Sequence, residues 1–146
     1  CLLSRGLGDV YKRQTYLRAN VEERLPDVTV ELSPGITAMQ ALSAASGRPL
    51  VEGKEILALV PATVGINKLG QVLDLVDSVA IYKGGRKLPD VVEQLRSRDR
   101  QAVIGTDVTL ESEQIITLDE VADAQTLPYF STVLTTPERT TTGGKL

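Results

Sequence analysis

The chain has 146 residues, 16 of them Lys or Arg and 19 Asp or Glu, which gives a formal net charge of −3 at pH 7. It contains no His and one Cys, so a disulfide framework, a cysteine metal site and the usual zinc and iron sites are excluded. An acidic chain without a basic run argues against nucleic acid as a partner, and no apolar segment approaches the ~20 residues that span a bilayer. We therefore expect a protein of a reducing, cytoplasmic setting.

The first 14 residues join poorly to the rest of the chain, and residues 8–14 resemble translated sequencing-adapter sequence. We expect residues 1–14 to be a non-native segment and exclude them from the fold. Gly6 and Gly8 are not interpreted as a phosphate loop, because no strand precedes them.

The period of apolar residues changes abruptly around Pro34 and Gly35. Residues 15–24 have one apolar face, which predicts the end of a helix, and residues 28–32 alternate as a strand does. Proline and glycine then turn the chain, and a helix follows, with Thr37 as its predicted N-cap and a stop at 46–47. Open α/β sheets hold ligands at such strand ends, although the same joint also occurs with no ligand.

The middle of the chain alternates strands and helices. Residues 55–63 form a continuous apolar run, which predicts a central strand covered on both faces. Asn67 is the predicted cap of the next helix, a strand follows at 76–82, and the pair Gly84–Gly85 breaks it. The remaining predicted elements are a helix at 87–96, strands at 102–105, 114–118 and 128–136, and a short turn or helix at 118–124. This order predicts an α/β fold, with helices on the faces of a mixed sheet.

Five segments carry a resemblance to a known family. They are residues 33–40 (SPGITAMQ), 50–53 (LVEG), 56–63 (ILALVPAT), 81–84 (IYKG) and 128–133 (PYFSTV). Together they resemble the C-terminal part of the precorrin-2 C-20-methyltransferases, S-adenosylmethionine-dependent tetrapyrrole methylases of cobalamin biosynthesis. The PGITA sequence marks the whole superfamily, whereas VPAT and PYFST point to the C-20 branch.

The resemblance implies a division of the chain as well as a fold. It implies that residues 15–34 are the last helix and strand of an N-terminal methylase domain and that residues 35–53 are a linking helix and loop. Residues 54–137 would be a C-terminal mixed-sheet α/β domain, and residues 138–146 a polar tail. The family's Gly-rich loop and Gly-Asp-Pro loop belong before residue 15, where nothing matches them. The chain is thus expected to be an incomplete, inactive fragment with about half of the donor site.

The resemblance also implies the site. S-adenosylmethionine would be the methyl donor, in a cleft between two domains, and a homodimer is implied. The implied donor contacts are Gly35, Ile36, Thr37, Ala38, Tyr82, Lys83 and Leu110. Many relatives carry Tyr-Met-Gly where this chain has Tyr82-Lys83-Gly84, so a main-chain contact can survive there but a Met side-chain contact cannot.

The substrate implied by the resemblance is precorrin-2 or its cobalt-containing counterpart, which carries acetate and propionate groups. Basic residues near the cleft would pair with those carboxylates, and Lys83, Arg86 and Lys87 are the candidates by position. Solvated basic residues near a helix start are an equally good interpretation of the same three. No residue is assigned as catalytic acid or base. The donor's methyl group is already electrophilic, and the main requirement is alignment and exclusion of water.

Two other functions fit the sequence. One is another branch of the same superfamily, which would methylate a different tetrapyrrole carbon or a different substrate. The other is a non-catalytic α/β domain that serves in subunit association, which the missing glycine-rich loops favour for this polypeptide.

Overall fold

The structure is a computed structural model that describes residues 7–31, 34–122, 125–128 and 130–139, with side chains from residue 15 onward. The helices in these residues are α1 (Leu7–Arg24), α2 (Ala38–Ser46), α3 (Ile66–Leu75) and α4 (Leu88–Arg96). The strands are β1 (Leu57–Pro61), β2 (Ser78–Tyr82), β3 (Ala102–Thr106), β4 (Gln114–Thr117) and β5 (Ser131–Thr135). Short 3-10 turns lie at Ala62–Val64, Gly85–Lys87 and Leu118–Glu120.

The five strands form one mixed sheet in the order β1-β2-β5-β3-β4. β1 and β2 are parallel, whereas β5 runs antiparallel to both of its neighbours, and β4 runs antiparallel to β3. It follows that β1, β2 and β3 all run in one direction and end at the same edge of the sheet. The predicted mixed α/β sheet with helices on its faces is confirmed.

Helices cover both faces of the sheet. On one face α3 and α4 pack against it through an apolar cluster that includes Leu69, Leu73 and Leu95. On the other face α2 packs through Leu42 against a second cluster. Both clusters use alternate residues of the same strands, as the period of a buried strand requires. The sheet thus lies between two layers of helices. The carboxyl ends of its strands lie between α2 and the loops that follow the strands.

The prediction for β1 was wrong in one respect. Its apolar run indicated a central strand, but β1 lies at an edge of the sheet, with only β2 beside it. Val60 is buried, whereas Leu59 is 55% exposed on the opposite face. A run of apolar residues cannot distinguish a strand covered on both faces from an edge strand that keeps an exposed apolar side chain.

Two local predictions were also wrong. Residues 28–31 form no strand, although their apolar–polar alternation predicted one, and Leu32 lies outside the described residues. They pair with no strand of the described sheet, and a strand needs a hydrogen-bonded neighbour. Asn67 does not cap α3, because Gly65, with φ of 95°, already makes the turn and the helix begins at Ile66. The other elements appear within a few residues of their predicted bounds.

The helix predicted to end near residue 24 is present as α1, which extends back to Leu7 and so overlaps the segment predicted to be non-native. The origin of residues 1–14 stays a prediction. None of the helices in the described ranges combines the length and apolar character needed to cross a membrane.

Candidate functional site

The candidate site lies at the edge where β1, β2 and β3 end. Tyr82 and Thr106 are the last residues of β2 and β3, and both strands flank β5. The first residues of β5 complete this edge, with Ser131 opposite Thr106 and Thr132 opposite Tyr82. The loops after β2 and β3 therefore emerge on either side of one central strand.

The first turn of α2 faces this edge. Thr37 caps the helix through a capping box with Gln40, in which the Gln40 amide donates to Thr37 Oγ1 at 3.3 Å. Gln40 Oε1 in return accepts from the Thr37 amide at 3.0 Å and from its hydroxyl at 2.8 Å. The predicted cap is confirmed. The box orders the backbone of residues 35–38 and leaves Gly35 and Ile36 exposed ahead of the helix.

Tyr82 connects the strand end to α2. Its side chain packs in the apolar cluster beneath α2 with Met39 and Leu42, and the residue is only 9% exposed. Burial raises the pKa of Tyr82 to about 12, although the nearby backbone of Met39 partly offsets that rise. Its hydroxyl makes no hydrogen bond of normal geometry with the described residues.

The loop after β3 folds back over the same face. Gly105 lies one residue before the end of β3, and an added Cβ there would meet Val108 Cγ2 at 2.5 Å and Leu42 Cδ1 at 2.7 Å. Val108 therefore lies beside α2 in the cluster that also holds Tyr82. Leu110 follows on the turn, where its amide donates to the carbonyl of Asp107 at 2.9 Å. The structure thus brings the segments around Thr37, Tyr82 and Val108 together.

The backbone is strained in both loops. Non-glycine residues with positive φ in the described ranges are Lys83 (58°), Asp99 (52°), Asp107 (50°) and Thr109 (73°). Three of these four lie directly after β2 or β3, at the candidate site. Such conformations cost about 1–3 kcal/mol each and cluster at ligand-binding positions. The left-handed turn at Lys83 ends β2 abruptly, so that the main chain changes direction next to Tyr82.

The predicted substrate-binding cations lie on this loop but differ in environment. Lys83 is half-buried, whereas Arg86 and Lys87 are exposed on the 3-10 turn that leads into α4. Lys87 Nζ lies 3.5 Å from the Asp90 carboxylate, with both side chains mostly in solvent. All three stand at the carboxyl end of β2.

Two polar features of the site could not be inferred from the sequence. One is the buried Tyr82 hydroxyl. The other is the buried contact between Thr106 Oγ1 and Ser131 Oγ at 3.0 Å, which joins the ends of β3 and β5. A polar residue in an otherwise apolar strand is a signal for such contacts, but the partner is set by strand order.

Two concave regions of the described chain, of about 340 and 470 Å³, lie away from the candidate site. The first lies between α4 and residues 121, 122 and 125, and the second lies near the ends of α3 and β5. No cluster of three or more potential metal ligands occurs in the described part of the chain.

The family model for tetrapyrrole (corrin/porphyrin) methylases matches residues 2–122. The chain therefore belongs to the tetrapyrrole methylases. One similar curated protein is a precorrin-2 C(20)-methyltransferase of Sinorhizobium sp., 36% identical over 135 residues, which are 91% of this chain and 54% of that protein. Another is a cobalt-precorrin-2 C(20)-methyltransferase of Salmonella typhimurium, 31% identical over 108 residues, which cover 72% of this chain and 46% of that protein. The chain spans about half the length of these relatives.

Solved structures of the same kind share the fold. A cobalt precorrin-4 methyltransferase superimposes with a TM-score of 0.64 at 15% identity, over 90% of this chain and 61% of that one. The uroporphyrin-III C-methyltransferase of Thermus thermophilus, complexed with S-adenosylhomocysteine, gives a TM-score of 0.59 at 20% identity, over 88% of this chain and 62% of that one. At these identities the likeness concerns the fold alone, and it agrees with the predicted α/β class.

Proposed function

We propose that this chain is the C-terminal part of an S-adenosylmethionine-dependent methyltransferase that methylates the C-20 meso carbon of precorrin-2 or its cobalt-containing counterpart. The observation that carries the proposal is its similarity to two C(20)-methyltransferases, at 36% and 31% identity. Family membership and the arrangement of strand ends, loops and α2 support it. The other branches of the family and the non-catalytic association domain have no comparable observation in their favour.

The proposed donor contacts fit a polar ligand. Gly35, Ile36, Thr37 and Ala38 precede or begin α2, where helix N-termini carry unpaired amides and a partial positive charge. Tyr82 and Lys83 present main-chain groups at a sharp turn, and Leu110 follows the loop over Gly105. These groups lie along one edge of the sheet, and the opposite wall of the proposed cleft would come from the N-terminal methylase domain that the resemblance implies.

The proposed methyl transfer does not depend on an ionisable catalytic side chain. S-adenosylmethionine supplies a methyl group that its sulfonium makes electrophilic, and the tetrapyrrole supplies a nucleophilic carbon. This chain's residues would hold the donor at the α2 and β2 ends, orient the carbon for in-line attack and exclude water. Lys83, Arg86 and Lys87 would pair with acetate and propionate groups at the rim. Lys87 would exchange its exposed Asp90 partner for a substrate carboxylate.

The proposal has two further parts, a cytoplasmic location and assembly as a homodimer. The exposed edge of β1 supports association, because Ile56 and Leu59 are both more than half exposed there. Sedimentation equilibrium of the purified protein tests the dimer, and a monomer at all concentrations would contradict it.

The experiment that tests the function is calorimetric titration with S-adenosylhomocysteine of two proteins. One is residues 15–146 alone, and the other, called the joined protein, is residues 15–146 joined to the native N-terminal domain of the same gene. We expect tight binding to the joined protein, weak or undetectable binding to residues 15–146 alone, and methylation of precorrin-2 by the joined protein only. Absence of binding by both folded proteins would overturn the methyltransferase proposal.

A further inference from the structure

The hydroxyl of Ser131 lies at the start of β5, between the two strand ends that carry the loops of the candidate site. The residue is 2% exposed. Its hydroxyl donates to the carbonyl of Pro128 at 2.7 Å and lies 3.0 Å from Thr106 Oγ1. A serine hydroxyl carries one hydrogen, so Thr106 must donate to Ser131, which in turn donates to Pro128. The two hydroxyls therefore form a directed chain of hydrogen bonds that begins at the end of β3.

The carbonyl of Pro128 connects this chain of hydrogen bonds to the loop after β2. It also accepts the Ser131 amide at 3.2 Å, and a Cβ added at Gly85 would lie 2.7 Å from its oxygen. The preceding amide, that of Leu127, donates to the Gly85 carbonyl at 3.2 Å. The main chains of these segments thus lie in direct contact, with no room for a side chain between them. Pro128 cannot move toward the loop after β2 without displacing it.

Both ends of this connection lie beside strained backbone. Thr106 immediately precedes Asp107, whose φ is 50°, and Gly85 lies two residues after Lys83, whose φ is 58°. Strained conformations persist only where the surrounding structure holds them. The hydrogen bonds described above supply such contacts beside each strained residue. Because both loops carry proposed donor contacts, the position of one loop relative to the other depends on Ser131.

Buried hydroxyls at the opposite end of the same strands lack this arrangement. Ser78 begins β2 and Thr135 ends β5, and both residues are fully buried. Neither hydroxyl has a hydrogen-bond partner among the residues that the structure describes. Burial in this sheet therefore does not by itself account for the connected hydroxyls at the candidate site.

We propose that Ser131 is a positioning residue for the methyl donor: its hydroxyl, which accepts from Thr106 and donates to the Pro128 carbonyl, keeps the loops after β2 and β3 in the arrangement that the donor requires. This inference rests on the proposed function. It goes beyond the contacts named there, because Ser131 acts through the two loops and does not itself touch the ligand. Loops that are held in place before binding raise affinity, since less conformational freedom is lost when the ligand binds.

The test is calorimetric titration of the joined protein with S-adenosylhomocysteine, in its unchanged form and as Ser131→Ala. Ser78→Ala is the matched control, because it removes the hydroxyl of another buried serine at the far end of the strands. We expect Ser131→Ala to bind about 3- to 10-fold more weakly, the range that one neutral hydrogen bond gives. Ser78→Ala should bind within about twofold of the unchanged protein.

Thr106 supplies a second set of variants. Thr106→Val removes the hydroxyl that donates to Ser131 and should weaken binding by a similar factor, whereas Thr106→Ser keeps a hydroxyl and should restore affinity. Thr135→Val is the control for the valine substitution, at a buried position of β5 whose hydroxyl has no partner in the described chain. Ser131→Ala already breaks both hydrogen bonds of its hydroxyl, so adding Thr106→Val should weaken binding by no more than about twofold further.

Each titration is made at a temperature where circular dichroism shows the variant to be folded. A hydroxyl that only stabilises the fold would lower the melting temperature and leave the affinity unchanged. If Ser131→Ala or Thr106→Val binds as tightly as the unchanged protein, or if the controls bind as weakly as these two, the role of Ser131 is refuted and the proposed function stands. If Ser131→Ala does not fold, Thr106→Val against Thr106→Ser decides by the same criterion. Failure of the unchanged joined protein to bind overturns the function and this inference with it.

Discussion

The side chain of Leu42 occupies the space that a side chain at Gly105 would need. A Cβ added at position 105 would lie 2.7 Å from Leu42 Cδ1, closer than real Cβ contacts come. Leu42 is fully buried at this point and is the buried apolar residue by which α2 meets the sheet. The missing side chain in β3 therefore sets how closely α2, and with it the first turn at the candidate site, approaches the strand ends.

Gly105→Ala should accordingly destabilise the fold. The added methyl group must displace either Leu42 or Val108, and overpacking of this kind costs about 1–3 kcal/mol. For a domain of this size, that corresponds to a fall of roughly 4–12 °C in melting temperature. Thermal unfolding followed by circular dichroism measures this fall in melting temperature.

Gly84→Ala is the matched control for this prediction. Its φ is −74°, and an added Cβ would meet only Val133 Cγ2, at 4.0 Å. We expect the melting temperature to change by less than about 2 °C, because substitutions that create no clash typically change the free energy of unfolding by no more than roughly 0.5 kcal/mol. Equal effects at the two glycines would show that close packing of α2 does not depend on position 105.

Thr37→Ala should unravel the start of α2. The substitution removes the hydroxyl that accepts the Gln40 amide, and loss of such a cap costs about 1 kcal/mol. Because residues 35–38 are proposed donor contacts, binding of S-adenosylhomocysteine to the joined protein should weaken as well. Thr37→Ser keeps a capping hydroxyl and should retain both stability and binding. A Thr37→Ala protein as stable as the unchanged one would show that the cap does not hold this turn.

The turn and helix at residues 34–47 could be predicted from the sequence because their signals are local, whereas the strand predicted before them does not form. The change of apolar period around Pro34 and Gly35, the predicted cap at Thr37 and the stop at Gly47 all lie within 20 residues of one another. The cap and the helix are present as predicted. The order of strands is a different matter, because whether the apolar run of β1 lies at the centre or the edge depends on pairings with residues far along the chain.

The least predictable features are those that define the site most sharply. Met39 and Tyr82 are brought together by the packing of α2 on β2, and no local pattern specifies that contact. The left-handed backbone of Lys83 is equally hidden, since lysine gives no hint of a positive φ. The family resemblance identified the segments involved but not the packing contact between them.

Lys83→Ala should separate the two tasks proposed for this residue. Alanine removes the charged side chain but keeps the main chain. The dissociation constant of S-adenosylhomocysteine for the joined protein should therefore change by no more than about twofold, whereas loss of about 1.4 kcal/mol of binding free energy would raise it tenfold. The KM for precorrin-2 should rise, because one cation facing the substrate's carboxylates is lost. Lys68→Ala, a change at an exposed position of α3 away from the candidate site, is the control. Unchanged KM in the Lys83 variant would show that Lys83 does not pair with the substrate's carboxylates.

The ion pair between Asp74 and Arg98 should make the free energy of unfolding of this domain decrease in acidic solution. Arg98 Nε donates to Asp74 Oδ1 at 2.6 Å and Nη2 donates to Oδ2 at 3.1 Å, which connects the last turn of α3 to the residues after α4. The hydrogen bond from Arg98 lowers the pKa of Asp74 from its ordinary 3.8, and burial only partly opposes it. The folded state thus binds this proton less readily than the unfolded state.

The sign of the effect on stability is set by that difference in proton binding. The contribution of Asp74 is fully present above pH 3.8 and is lost as the pH falls through the lower pKa of the folded state. The melting temperature of Asp74→Asn should therefore be lower than that of the unchanged protein at about pH 6. This gap between the two melting temperatures should close in more acidic solution. Because the carboxylate is exposed to solvent, the gap at about pH 6 should be small and should shrink in about 1 M NaCl. A gap that persists unchanged at about pH 2.5 would show that the variant acts through lost hydrogen bonding or packing and not through the charge of Asp74.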